Sequence, residues 1–193
     1  MVLLQADGVT GEEADRIQRR FEAKARAELR NADAALGVPV AVASAGDPLG
    51  AVVLAKGLPE AADTKARRVL AGPDGEAARK ALEALGLDPA SVWAVCTRPG
   101  KADLPACARR LELVVEAVDP RLVIALDDEA AEDLAAAFGL KALAPGRSVS
   151  VRGRTLGAVG GLSASLKDPG IKAKVWEHLK TLAKAAGPPG DSS

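Results

Sequence analysis

The sequence predicts an α/β fold: a central, mostly parallel sheet of four strands between two layers of helices, a three-layer α/β/α arrangement. Three strand-sized apolar runs, at residues 51–55, 91–97 and 121–126, alternate along the chain with segments of helical periodicity. Strands that alternate with helices form a parallel sheet covered on both faces. The 193 residues, 48% of them hydrophobic and 27% charged, suit one globular domain. We expect this domain over residues 1–186 and a flexible tail over 187–193.

Five helices are predicted from apolar side chains that recur every three or four positions. The first is a leading helix over residues 10–37, opened by the capping box Thr10-Gly-Glu-Glu13. Its apolar stripe consists of Ile17, Phe21, Ala25, Leu29, Ala32 and Leu36. The other four helices are expected over residues 75–85, from 103 or 104 onward, over 128–138 and from 169 onward.

The remaining segments supply a weaker strand, an edge strand and loops. Residues 154–160 predict the fourth strand, and the alternating residues 148–151 predict an edge strand. Residues 45–48 predict a turn. Residues 56–75 predict a loop, because they hold several Gly and Pro residues and no clear period.

Ligands of parallel sheets bind outside the carboxyl ends of the strands. In this chain that rule selects the segments after Leu54, Cys96 and Val159. We therefore expect any binding site to be assembled from these three segments.

The composition excludes several classes of function. Lys and Arg together number 26, as do Asp and Glu, so there is no overall basic charge for nucleic acid or membranes. Aromatic residues make up 2% of the chain, which argues against a surface that stacks several bases. One histidine and two cysteines exclude a Cys₂His₂ or Cys₄ metal site within one chain. No signal peptide and no membrane-spanning run are predicted.

Several segments follow one another in the order found in a known family. Ala51-Val-Val-Leu-Ala-Lys-Gly-Leu-Pro59 stands where that family has a hydrophobic strand and then Gly-Glu-Ala-Pro-Gly. Leu70-Ala-Gly-Pro-Asp-Gly75 is similar to its Phe-Val-Gly-Pro-Ala-Gly. Further matching segments lie at 84–88, 92–95, 122–126, 165–169 and 175–180. The chain resembles the uracil-DNA glycosylase superfamily, closest to its families 4 and 5.

The resemblance implies a flipped uracil held in a pocket. It implies a loop carboxylate or amide for the water or the sugar cation, a stacking phenylalanine, an asparagine that reads the base, and a histidine after the fourth strand. This sequence departs at each of these pocket positions. Lys56, beside Gly57, takes the acidic position, and Leu70 takes the phenylalanine position. The second strand ends at Cys96 with no asparagine nearby, and the histidine position falls on Gly161.

Few other residues offer catalytic chemistry. Asp63, the best candidate among the carboxylates of the first loop, is a weak catalytic candidate. Asp127 and Asp128 either form a catalytic pair or cap the following helix, and capping is favoured. His178 is expected to be a solvated or half-buried helix residue. Lys56 either refills the ancestral cavity or binds an anion.

No metal or other cofactor is predicted. Glycosylases of family 4 bind an iron–sulfur cluster through four cysteines, whereas this chain has only Cys96 and Cys107. These two are a relic of such a site, a disulfide or core residues, and core packing is favoured for Cys107 on the apolar face of its helix. Two cysteines do not form a disulfide scaffold, so we expect a reducing, cytoplasmic setting.

The C-terminal third is more basic than the rest of the chain. Residues 141–184 hold nine basic and two acidic side chains, which either bind phosphates or are simply solvated. Arg147, Arg152, Arg154 and Lys167 flank the loop that would face DNA. They are our predicted nucleic-acid contacts.

These observations predict a glycosylase-like protein that has lost base excision and binds DNA or a protein partner without catalysis. One alternative is an active but divergent DNA glycosylase that relies on Asp63 and backbone dipoles. Another is a structural or assembly module whose first helix packs on a second copy. No membrane partner is expected.

Overall fold

The computed structural model describes residues 11–187, which form seven helices and six strands. The helices are α1 (Gly11–Ala34), α2 (Ala61–Ala66), α3 (Pro73–Ala84), α4 (Leu104–Val118), α5 (Asp128–Ala137), α6 (Leu162–Ser165) and α7 (Pro169–Ala185). The strands are β1 (Ala45–Gly46), β2 (Val52–Lys56), β3 (Val92–Cys96), β4 (Leu122–Ala125), β5 (Ser148–Val151) and β6 (Arg154–Ala158). The predicted α/β class is confirmed.

The six strands form one mixed sheet in the order β1-β3-β2-β4-β6-β5. The four inner strands are parallel, while β1 and β5 pair antiparallel with their neighbours at the two edges. The prediction of a four-stranded sheet is therefore not confirmed. The edge strand at 148–151 is confirmed, but Ala45 and Gly46, predicted as a turn, pair with Ala94 and Trp93 of β3.

Successive residues of the inner strands point to opposite faces of the sheet, and helices bury both faces. Val53 and Ala55 of β2 belong to a core beneath α1, α4 and α5. Val52 and Leu54 belong to a second core beneath α3 and α7. Because both faces are buried, β2, β3 and β4 are apolar on consecutive residues rather than alternating.

Aspartate side chains begin several of the helices. Asp103 accepts a hydrogen bond from the backbone N–H of Ala106 at the start of α4, and Asp168 accepts two at the start of α7. A carboxylate there satisfies helix donors that have no partner within the helix and complements the positive end of the helix dipole. These caps explain why α4 and α7 begin where the sequence predicts.

The leading helix differs from its prediction in its exposed face. α1 buries Ala25, Leu29 and Ala32, but Ile17 and Phe21 are 39% and 57% exposed. Residues 11–21 of α1 are all exposed, so this part of the predicted stripe has no core to face. Thr10 of the predicted capping box, and residues 188–193 of the predicted tail, lie outside the described residues.

No helix within residues 11–187 is both long and apolar enough to cross a membrane. The division into one domain over 1–186 and a tail stays a prediction.

Candidate functional site

The strand order reverses beside β2, which makes the carboxyl ends of β2 and β4 the expected ligand site. The chain passes from β2 to β3 on one side and then to β4 on the other. In open α/β sheets, ligands bind in the crevice at such a switch point. Here the crevice is bordered by Lys56 at the end of β2, by Gly57 directly after it and by Asp127 after β4.

The crevice is filled by a buried ion cluster. Lys56, 3% exposed, donates from Nζ to Asp63 Oδ2 at 2.6 Å and to Asp74 Oδ2 at 2.5 Å. Glu60 Oε1 lies 3.7 Å from the same Nζ. Asp63 and Asp74 are themselves buried. The ammonium group therefore closes the position at which the resemblance places a catalytic acid.

The two carboxylates lie in the first turns of α2 and α3. Asp63 lies in the first turn of α2, where Oδ2 accepts the Glu60 N–H at 3.0 Å and Oδ1 accepts the Ala71 N–H at 2.8 Å. Asp74 is the second residue of α3, and its Oδ1 is buried with no hydrogen-bond partner among the described residues. Both oxygens of Asp63 thus accept hydrogen bonds from the protein itself, and the residue is fully buried.

The cluster favours the charged forms of Lys56 and Asp63. Burial alone lowers the pKa of Lys56, but the hydrogen bonds and attraction of Asp63 and Asp74 outweigh it, and the pKa is raised above its ordinary value of 10.5. Burial also opposes ionisation of Asp63, but the bonds from Lys56, Glu60 and Ala71 outweigh it and lower that pKa below 3.8. At neutral pH Lys56 is an ammonium ion and does not act as a nucleophile.

Gly57, directly after β2, is hydrogen-bonded to the start of α5. Its N–H donates to both carboxylate oxygens of Asp127 at 3.0 Å, and Asp127 also accepts the Ala130 N–H at 2.8 Å. Asp127 is therefore a helix cap, as the sequence favoured, whereas Asp128 is exposed in the first turn. Burial raises the pKa of Asp127 despite these bonds. A side chain at Gly57 would collide with Glu129, since its Cβ would lie 2.4 Å from Glu129 Cβ.

The other predicted pocket positions contribute packing. Cys96 donates from Sγ to the Gly57 carbonyl at 3.2 Å, and burial raises the pKa of its thiol to about 12, so it is no nucleophile. Leu70 packs beside two of the apolar cores. Cys107 is also buried, and both cysteines are free thiols. This arrangement matches core packing rather than a disulfide.

An imidazole of α7 lies at the same edge of the sheet, at the end of β6, a position that the sequence does not predict. His178 of α7 donates from Nδ1 to the Val159 carbonyl at 2.8 Å, two residues before Gly161. Gly146 (φ +73°) leaves room for the ring, because a Cβ there would lie 2.5 Å from His178 Cδ2. Val159 follows β6, two strands away from Lys56, a distance of about 10 Å at ordinary strand spacing. His178 is not part of the ion cluster.

The structure separates the four predicted nucleic-acid contacts. Arg147 precedes β5 beside the carboxyl end of β6, and Lys167 follows α6; both are exposed. Arg152 and Arg154 lie at the opposite end of the β5–β6 hairpin, where carboxylates of α4 and its C-cap bind them. The ion pairs are Arg152 with Glu112 and Glu116, and Arg154 with Glu116 and Asp119. The four do not form one surface, because the antiparallel hairpin carries its two ends apart.

The sequence predicts neither the buried position of Asp74 nor a second, partly buried ion pair. Arg98, after β3, binds both carboxylate oxygens of Asp133 at 2.9 Å, and Thr97 donates to Asp133 at 2.5 Å. The acidic residue after Pro73 was the available signal for Asp74, since helix starts favour carboxylates. No sequence signal identifies Asp133 as the partner of Arg98, 35 residues earlier in the chain.

Comparison with known proteins does not assign the site. No model of a known protein family matches the chain. A search of curated proteins finds no significant match. Among residues 11–187, no group of three or more His, Cys, Asp or Glu side chains is arranged to hold a metal ion.

Proposed function

We propose that this protein is a catalytically inactive relative of the uracil-DNA glycosylases, with their three-layer α/β/α scaffold, and that it acts by binding a protein partner. The observation that carries this proposal is the bonding of Lys56 to Asp63 and Asp74. The ammonium stands at the family's acidic position, where two buried carboxylates of the protein itself hold it.

The remaining pocket positions support inactivity. Leu70 offers no aromatic face for a base, and Gly161 offers no side chain to stabilise charge on a departing uracil. Loss of a single transition-state donor costs about 10²–10³ in rate. Several such groups are replaced together in this chain.

An active, divergent glycosylase is the second candidate, and His178 at the carboxyl end of β6 is the observation in its favour. Its predicted base, Asp63, accepts hydrogen bonds from Lys56, Glu60 and Ala71. A carboxylate held by three donors is a weak base, and this geometry favours the inactive protein.

DNA binding without catalysis is a further candidate, favoured by the exposed Arg147 and Lys167 at the site edge. Its support is reduced by the pairing of Arg152 and Arg154 with carboxylates. Salt-dependent binding to plain duplex DNA, lost in Arg147→Ala/Lys167→Ala, is the expected result if this candidate is correct. We further propose a reducing, cytoplasmic setting, supported by the two free thiols.

An excision assay tests the central proposal. Purified protein is incubated with duplexes that contain uracil or other deaminated bases, and abasic sites are counted against an active uracil-DNA glycosylase. We expect no release above the enzyme-free control. Base release by the wild-type protein that disappears in His178→Ala would overturn the proposal and establish the divergent enzyme.

A further inference from the structure

An open apolar groove runs between α3 and α7 on the face of the sheet opposite to α1. It encloses about 420 Å³. Its floor and walls include Ala77 and Ala81 of α3, Leu166 after α6, and Val175 and Trp176 of α7. The groove is separate from the Lys56 cluster, which lies buried at the strand ends.

The groove exists because of side-chain size. α3 presents small alanine side chains toward α7, and α6 packs against both helices at one end. Trp176 is half-buried in the groove wall, and Leu166 is 45% exposed. Contiguous exposed apolar surface rimmed by polar groups is typical of a binding surface.

Lysine side chains line this groove and the hollow that continues it. A second hollow of about 400 Å³ lies at the far end of α3 and α7, lined by Leu85, Lys180 and Lys184. Lys172, Trp176, Lys180 and Lys184 follow one another at intervals of four residues, so they share one side of α7. Lys180 is bound by Glu177 at 2.7 Å, so Lys172 and Lys184 carry the charge that a partner would meet.

We propose that this groove, defined by α3 and α7, is the protein-binding site, and that its partner is an acidic amphipathic helix. The inference rests on the proposed non-catalytic function and specifies the partner's chemistry. Apolar side chains of the partner would fill the space over Ala77 and Ala81. Its carboxylates would face Lys172 and Lys184. α3 has 12 residues, about 18 Å of helix, so a partner helix of three to four turns matches the groove.

Charge complementarity selects this occupant over a second copy of the chain. In a second copy, the exposed apolar side chains Ile17 and Phe21 of α1 are the ones that could enter the groove. Residues 11–24, however, carry four acidic and four basic side chains, so they offer no net negative charge to the lysines. DNA fits less well, because phosphates do not cover the apolar floor.

A designed peptide tests the proposal. The probe is a stapled helical peptide of about 15 residues with leucine on one face and glutamate elsewhere. A second probe has lysine in place of every glutamate. Binding is followed by fluorescence polarisation at physiological salt. We expect the acidic peptide to bind at least about tenfold more tightly than the basic one.

Matched variants locate the binding. Lys172→Glu/Lys184→Glu is expected to weaken the acidic peptide by about tenfold or more, whereas Lys65→Glu/Lys141→Glu makes the same change of charge elsewhere and leaves it unchanged. Ala81→Trp fills the groove and should abolish binding, while Ala23→Trp on α1 should not. Circular dichroism checks that each variant is folded.

Several outcomes overturn the inference. They are absence of binding by the acidic peptide, equal binding of both peptides, displacement by duplex DNA, or a wild-type dimer that Lys172→Glu/Lys184→Glu dissociates. Base excision by a protein that still binds the peptide at this groove would refute the proposed function and leave the inference standing.

Discussion

The carboxyl ends of β2 and β4 and the groove between α3 and α7 handle charge in opposite ways. At the strand ends, Lys56 is buried and bound by Asp63 and Asp74. Along the groove, Lys172 and Lys184 are exposed beside apolar surface. The first region pairs its ammonium group with buried carboxylates of the protein itself, and the second presents these two ammonium groups to solvent.

This difference shows where binding can occur in the fold. A parallel sheet favours ligands at its strand ends, yet here that position is occupied by side chains of the protein itself. The apolar surface available to a partner lies on the helical layer. Breaking the ion cluster should therefore affect stability and leave the groove unchanged.

Replacement of the buried ammonium is expected to have the largest effect. Lys56→Met leaves the carboxylates of Asp63 and Asp74 buried without a cation. We expect a loss of about 3–5 kcal/mol in the free energy of unfolding, measured by urea denaturation. Lys65→Met, at an exposed position of α2, is the control and should change little. A loss below about 1 kcal/mol in Lys56→Met, as for a surface ion pair, would contradict the burial of this ion cluster.

Replacement of one counter-ion is expected to cost less and to change the pH dependence. Asp63→Asn should lose about 1.5–3 kcal/mol at pH 7, because Asp74 still binds Lys56. The folded-state pKa of Asp63 lies below 3.8, so its contribution is present above that pH and is lost as the pH falls through the folded-state value. The variant should lack this acid-side loss.

At high pH, the contribution of Lys56 to stability changes with pH in the opposite direction. The folded-state pKa of Lys56 lies above 10.5, so its contribution is present below pH 10.5 and is lost as the pH rises through the folded-state value. Urea midpoints recorded across pH for wild type and Asp63→Asn measure both limbs. Identical acid limbs in the two proteins would rule out a stabilising role for the Asp63 carboxylate.

A methyl group at the crevice tests how closely β2 and α5 approach. Gly57→Ala places a Cβ 2.4 Å from Glu129 Cβ and 2.7 Å from Asp127 Oδ1. Overpacking of this kind costs about 1–3 kcal/mol, which a shift of the thermal midpoint would report. Gly11→Ala, where no atom lies within 4 Å of the new Cβ, is the matched control. Equal midpoints for the two variants would show that the crevice is not tightly packed.

The smallest effect is expected on the exposed hairpin end. Arg152 is bound by Glu112 and Glu116 but is 57% exposed, and exposed ion pairs contribute little in water. Arg152→Ala should leave the thermal midpoint unchanged and should not alter duplex DNA binding, in contrast to Arg147→Ala/Lys167→Ala. A loss of DNA affinity in Arg152→Ala would show that Arg152 does contact nucleic acid.

Long elements with a clear period were predictable, and short ones were not. The apolar runs that became β2, β3 and β4, and the helical patterns of α4, α5 and α7, agree with the structure within a few residues. β1, α2 and α6 were missed. β1 exists only through its pairing with β3, and α2 begins where Asp63 binds the Glu60 N–H. Neither contact leaves a periodic pattern in the sequence.

The residues of the candidate site were predictable from the sequence, but their interactions with one another were not. The resemblance alone assigns Lys56 to an acidic position, and the sequence leaves open whether this side chain fills a cavity or binds an anion. Only the positions of α2 and α3 show that Asp63 and Asp74 both reach its ammonium group. The same applies to Arg152 and Arg154, whose partners on and just after α4 lie more than thirty residues away.

The sequence by itself determined the α/β class and the parallel inner strands, because these follow from local periodicity and residue type. The tertiary structure alone decided which charges are neutralised, that His178 reaches the end of β6, and that a groove opens between α3 and α7. The physical reason is that hydrogen bonds and ion pairs act over a few ångströms. Their partners are therefore set by which elements the fold brings together.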